Sequence, residues 1–160
     1  MTHIGIISDT HGFLHPDVFK YFAHCDEIWH AGDFGDGVAE KLEAFKPLRG
    51  VYGNIDSPAL RKRYPEQIVF ECEKVKVLIR HIGGYPPKYN AETKRELSLH
   101  RPKLFIDGHS HILKIMYDEK LGCLHINPGA AGNQGWHKVK TLVTLDIDGS
   151  DMKNCKVIEL

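Results

Sequence analysis

The sequence has no excess of charge of either sign: 21 Lys and Arg balance 21 Asp and Glu in 160 residues. That removes the global electrostatic reason to expect a nucleic-acid polymer or an anionic membrane as partner. No apolar run approaches the ~20 residues needed to span a bilayer. The opening MTHIGIISDTHG lacks the basic region of a secretory leader, and its short apolar run closes on an acid. Cysteine is scarce, and Cys25, Cys72, Cys123 and Cys155 lie far apart without a CxxC. Reduced thiols in a cytoplasmic protein are expected rather than a disulfide framework, because a chain of this length can bury a real core. Repeats, low-complexity segments and linkers are also missing, so residues 1–160 read as a single domain.

What is present changes character along the chain. In the first third, apolar strand-like runs at His3 to Ser8, Glu27 to Gly32 and Leu48 to Tyr52 alternate with helical spacing at Asp17 to His24 and Val38 to Phe45. Such β-α-β-α-β order implies a parallel sheet with right-handed crossovers. Beyond it, Gln67 to Cys72 and Val75 to Arg80 flank the turn Glu73-Lys74, a hairpin. A helix over Asn90 to Arg101 and a strand over Leu104 to Asp107 follow. Two more hairpins are expected, Ile112 to Tyr117 with Cys123 to Ile126, and Thr141 to Ile147 with Lys156 to Glu159. Two mixed sheets packed face to face with helices outside would satisfy both halves.

Five apolar strands end on a polar residue of one kind. The ends are Ser8-Asp9-Thr10-His11, Gly32-Asp33, Gly53-Asn54, His81 and Gly108-His109-Ser110-His111. A glycine directly precedes Asp33, Asn54 and His109, which lets the backbone turn tightly. In open α/β sheets the carboxyl ends of strands line the ligand crevice. Asp9 and His11 are two apart, as are His109 and His111, a spacing that in extended backbone aims both side chains the same way. Taken singly, Asp9 or Asn54 also suits a cap or turn, and His81 a satisfied core histidine. Five strand ends carrying only metal-competent residues are harder to assign to turns.

Asp9, His11, Asp33, Asn54, His81, His109 and His111 together offer four imidazoles, two carboxylates and an amide oxygen, without thiolate. This donor set suits manganese, nickel, zinc, iron or cobalt as divalent ions, with manganese the leading candidate. Seven ligands exceed the needs of one tetrahedral ion, and with one bridging aspartate they serve two. Two divalent ions against two carboxylates leave a positive surplus, which favours a phosphate oxygen anion. Paired ions ~3.5–4 Å apart lower the pKa of bound water and clamp the oxygens of an in-line displacement.

The ordered set Asp9-x-His11, Gly32-Asp33, Gly53-Asn54, His81 and Gly108-His109-Ser110-His111 resembles the calcineurin-like metallophosphoesterases over essentially the whole chain. Its small size and Gly-Asn-x-Asp form resemble the compact YfcE-type phosphodiesterases, whose eukaryotic relative is the retromer subunit Vps29. The resemblance implies a four-layer αββα sandwich and a dinuclear phosphoesterase, favouring phosphodiesters, whose nucleophile is a bridging hydroxide. It implies one metal held by Asp9, His11, Asp33 and His111, and a second by Asp33, Asn54, His81 and His109. Asp33, Asn54 and His109 would be catalytic, with Asn54 and His109 also contacting a small phosphorylated substrate. Two departures stand out. Ile55 occupies the place where many members carry a histidine that protonates the leaving group, and a general acid contributes ~10²–10⁴-fold. The run His81-Ile82-Gly83-Gly84 replaces the usual His-Gly, so the loop GGYPPKYN can shape the pocket differently.

Other residues divide between site and scaffold. Asp56 suits a supporting group or a turn former, and Asn127 an orienting group or an ordinary turn. Arg61 to Tyr64 reads as a solvated basic face, while Tyr85 and Tyr89 either pack or stack on a base. His3, His15, His24, His30, His100, His125 and His137 read as ordinary surface or core residues. The rival function is a non-catalytic protein-interaction scaffold of the Vps29 kind, which would not need the seven ligands. A homo-oligomer is compatible with the pattern.

Overall fold

A computed structural model describes residues 1–160. Ten strands form two five-stranded mixed sheets. The first contains β1 (Thr2–Ile7), β2 (Glu27–His30), β3 (Leu48–Gly50), β11 (Thr141–Asp148) and β12 (Asp151–Glu159) in the order β12-β11-β1-β2-β3. β1, β2 and β3 are parallel, while β11 joins β1 and β12 joins β11 antiparallel. The second sheet runs β4-β5-β8-β10-β9, from β4 (Gln67–Cys72), β5 (Val75–Arg80), β8 (Leu104–Ile106), β9 (Lys114–Asp118) and β10 (Cys123–Asn127). Its centre, β5-β8-β10, is parallel, and both edges are antiparallel.

Strict alternation builds the layers. Ile4 and Ile6 of β1 face Val77, Ile79, Leu104 and Ile106 of the other sheet in a fully buried core that also holds Trp29, Val143 and Leu145. The opposite faces take the helices. Ile7 and Ile28 pack with Val18 of α1 (Asp17–Tyr21), Val38 and Leu42 of α2 (Val38–Phe45) and Leu60 of α3 (Pro58–Arg63). Leu78 and Phe105 pack with Leu97 of α4 (Ala91–His100). The expected four-layer αββα sandwich is therefore the fold. No helix is long and apolar enough to cross a membrane.

Several element limits differ from the sequence expectation. α1 stops at Tyr21, because Phe22 leaves helical geometry as its ring enters the core. α3 is an additional helix that takes in the basic residues Arg61 to Arg63; Pro58 opens it, and the Ser57 hydroxyl accepts the Leu60 N–H. β9 starts at Lys114 instead of Ile112, since the ladder to β10 begins with Lys114 opposite Asn127. The loop expected across Asp148 to Asn154 collapses to a two-residue turn, and β12 begins at Asp151, paired with Asp148. The segment GGYPPKYN folds into a small hairpin of β6 (Gly84–Tyr85) and β7 (Lys88–Tyr89).

Ile106 lies at the middle of the inter-sheet core. Ile106→Ala should destabilise the protein by about 2–5 kcal/mol, read from the shift in denaturant midpoint at unchanged slope. A change below about 0.5 kcal/mol would show that the two sheets do not pack there.

Candidate metal centre

The carboxyl ends of β1, β2, β3, β5 and β8 meet at one edge of the sandwich. Backbone bonds carry the strand pairing on into the loops. The N–H groups of Asp9 and His11 donate to the carbonyls of Gly32 and Asp33, and Gly108 N–H donates to the His81 carbonyl.

All seven residues singled out in the sequence come to this edge. The donor atoms of Asp9, His11 and His111 lie within 4.8 Å of one another, as do those of Asp33, His81 and His109. Asp33 sits between the groups, with Oδ2 3.1 Å from His81 Nε2 and 3.5 Å from His11 Nε2. Asn54 is exposed, its Oδ1 3.1 Å from Nδ1 of His109.

The i, i+2 spacing works differently from the expectation of extended backbone. Asp9, His11, Asp33, His109 and His111 all have positive φ, between 48° and 70°. This left-handed region is unfavourable for non-glycine residues and is held here by the surrounding bonds. The chain curls at these five residues, so His109 and His111 join different donor groups although only Ser110 separates them.

Two glycines are required by close approach. A Cβ on Gly53 would lie 2.0 Å from Oδ1 of Asp33, and one on Gly108 would lie 2.2 Å from the Ser8 hydroxyl and 2.7 Å from Oδ2 of Asp9. The carboxylates are thus gripped by backbone: Asp33 Oδ1 accepts the Ile55 N–H, and Asp9 Oδ2 accepts the Ser8 hydroxyl and the His109 N–H. Each keeps its other oxygen turned toward the imidazoles.

The donor atoms fit metal ions on a direct structural test. Asp9 Oδ1, His11 Nε2 and His81 Nε2 are buried without any hydrogen-bond partner. Such orphaned atoms are rare because each costs about 1–3 kcal/mol. His81 Nδ1–H donates to the Ala31 carbonyl at 2.8 Å, which leaves the Nε2 lone pair facing Asp33, the arrangement of a metal-ligating histidine. The local field favours positive charge. Burial raises Asp9, but contacts with His11 and His111 outweigh it and hold the carboxyl well below the usual range. Asp33 is lowered in the same sense, with its contact to His81 overcoming burial. Asp9 raises His11, and Asp33 and Asp9 raise His81 against burial.

Several supporting residues were undervalued in the sequence. Asp56 is buried, and its carboxylate accepts the N–H groups of Phe34, Gly35 and Gly53, tying the β2 and β3 loops together. Asn127 fastens the histidine turn, donating to the Gly108 carbonyl and the Ser110 hydroxyl. Arg61 points its guanidinium at the carbonyls of Asn54 and Asp56, so it braces the Asn54 loop as well as belonging to a charged face. His137 packs edge-on against His111 with ring centres 5.3 Å apart, beside the site and not on a remote surface. A histidine in a Gly-rich loop carries no sequence signal for that position.

His30 is fully buried beneath the site, stacked on Phe34. Thr10 donates its hydroxyl to the Phe34 carbonyl, so His30 Nε2–H must donate to Thr10, while Nδ1 accepts the Gly32 N–H. Burial pushes this imidazole from 6.5 down to about 3. The unfolded chain therefore binds the proton first as pH falls. The stability due to neutral His30 is complete above pH 6.5 and is lost progressively toward pH 3. NMR should show the His30 ring untitrated between pH 7 and about 4.5; an ordinary midpoint near 6.5 would contradict this packing. Asp56→Ala strands three N–H groups and should cost about 3 kcal/mol or more in chemical denaturation, with a loss under about 1 kcal/mol contradicting the bonds.

The fold has solved neighbours. Vps29 from Chaetomium thermophilum superposes with a TM-score of 0.79 at 14% identity, covering 100% of this chain and 97% of that one. Vps29 from Entamoeba histolytica, complexed with zinc, gives 0.73 at 18% identity and 98% coverage of both chains. A structure described as a novel archaeal phosphodiesterase gives 0.74 at 23% identity and 99% coverage of both. No curated protein sequence matches the chain. The model of the calcineurin-like phosphoesterase superfamily domain matches residues 2–150, and with the fold and the paired donor groups this chain belongs to that superfamily.

Proposed function

We propose that the protein is a dinuclear metal-dependent phosphoesterase acting preferentially on phosphodiesters. The observation that carries this reading is the set of buried, unpartnered donor atoms on Asp9, His11 and His81 at the meeting point of two three-residue donor groups. Asp9, His11 and His111 would hold one ion, and Asn54, His81 and His109 the other, with Asp33 shared. Two divalent ions supply Lewis acidity, lowering the pKa of bound water and offsetting phosphate charge; manganese leads zinc, nickel, iron and cobalt for this donor set.

The chain's own residues set the rest. Asn54 and His109 are exposed and adjacent, so an amide and an imidazole are available to a phosphate oxygen at the rim. The Ile55 side chain is exposed and has no ionisable proton, while its N–H is committed to Asp33. Diesters with good leaving groups should therefore react far faster than those needing a general acid.

A second reading, a protein-docking scaffold, draws support from the Vps29 neighbours and from the exposed apolar residues Ile115, Met116 and Tyr117 on edge strand β9. A scaffold gains nothing from unpaired buried ligand atoms, which favours the enzyme.

With manganese added, wild type should hydrolyse bis(p-nitrophenyl) phosphate, and Asp33→Asn should lose at least about 100-fold in kcat, since one change weakens both ions. Metal analysis should find two ions per chain at saturation, and a chelator should abolish turnover. Equal activity of the two proteins, or a single ion at saturation, would overturn the dinuclear mechanism.

A further inference from the structure

Beside the candidate centre lies a cavity of about 360 Å³ between the β6–β7 hairpin and the histidine turn. His109 belongs both to its wall and to one donor group, so the cavity adjoins the centre. Its other walls include Tyr85, Tyr89, Ile112 and Lys114, with Asp107 and His125 among the lining. Asp107 and His125 are each 1% exposed and pair through Oδ1 and Nε2 at 2.7 Å. The second carboxylate oxygen, Asp107 Oδ2, is buried and has no partner. It faces Gly83, another wall residue, where an added Cβ would lie only 2.8 Å away.

That oxygen needs a donor, and its neighbours do not supply one. Tyr89 gives its hydroxyl to Asp118, and Lys114 is held over the Tyr85 ring, 3.6 Å from its centre. The site is therefore an aromatic-walled space with an unpartnered carboxylate oxygen at its buried end, beside His125, whose Nδ1 is also buried without a partner. Lys88 and Lys114 in the wall disfavour a cationic guest. A phosphate at His109 would direct one of its ester groups into this space.

We propose that the cavity binds the non-reacting ester substituent of a phosphodiester, an uncharged aromatic group whose O–H or N–H donor is accepted by Asp107 Oδ2. This rests on the phosphodiesterase reading above. Asp107 and Tyr85 would then determine specificity, holding the part of the substrate that does not react.

Three p-nitrophenyl diesters, of methanol, benzyl alcohol and 3-hydroxybenzyl alcohol, separate the contributions. With manganese, benzyl should exceed methyl several-fold in kcat/KM, and 3-hydroxybenzyl should exceed benzyl by about tenfold, as one hydrogen bond to a charged acceptor predicts. Asp107→Asn puts an N–H where the free acceptor was and should bring the 3-hydroxybenzyl advantage to about twofold or less. Tyr85→Ala, which alters neither donor group, should remove the benzyl advantage over methyl. Calorimetry of methyl 3-hydroxybenzyl phosphate against methyl benzyl phosphate reads the same tenfold contact without turnover. Turnover of all three diesters at equal kcat/KM would overturn this inference and leave the enzyme standing. No turnover, with a binding difference that Asp107→Asn abolishes, would support the cavity and overturn the enzyme. Neither turnover nor a binding difference would overturn both, including the case where only water fills the space.

Discussion

Two carboxylates, Asp9 and Asp33, are held almost without solvent contact among imidazole nitrogens, and the surrounding structure is arranged around that cost. A buried carboxylate is tolerable only when it is hydrogen-bonded and faces positive charge. Backbone and hydroxyl donors satisfy one oxygen of each, and the other is left toward the histidines. The loops can supply those donors only by passing very close, which explains the contact of Gly53 with Asp33 and of Gly108 with Asp9. Asp9, His11, Asp33, His109 and His111 lie in left-handed backbone at these close approaches.

Strain of this kind needs a rigid frame, and the two sheets provide it. Five strands deliver their ligands from one edge, and strand-like bonds between loops extend the frame past the last sheet residue. A further ring of polar residues spans what the sheets leave open. Asp56 joins the β2 and β3 loops, Asn127 holds the histidine turn, and neutral His30 supports Gly32 from below. Each works through buried bonds to backbone, where loss of a partner is costly.

The Asp107–His125 pair follows the same rule one step further out. It reaches the cavity from β8 and β10, neighbouring strands of the second sheet. One oxygen is satisfied within the protein and the other is not. The candidate centre and the cavity share His109, so a single turn borders both.

The sequence by itself determined the layers and the set of candidate donor residues. The apolar strand-like runs of β1, β5 and β8 and the helical spacing of α2 were legible because each is a local rule that packing reinforces. Glycines before Asp33, Asn54 and His109 marked the strand ends for the same reason. Strand spacing did not show which histidine joins which aspartate; the grouping that the family resemblance implied is made by left-handed curls, which only the tertiary structure shows. Tertiary structure also decided that Asp56, Arg61 and His137 belong beside the site, and that Asp107 meets His125 across 18 residues of chain. Those relations are distances between separate strands and loops, and a pattern along one chain does not encode them until the sheets have packed.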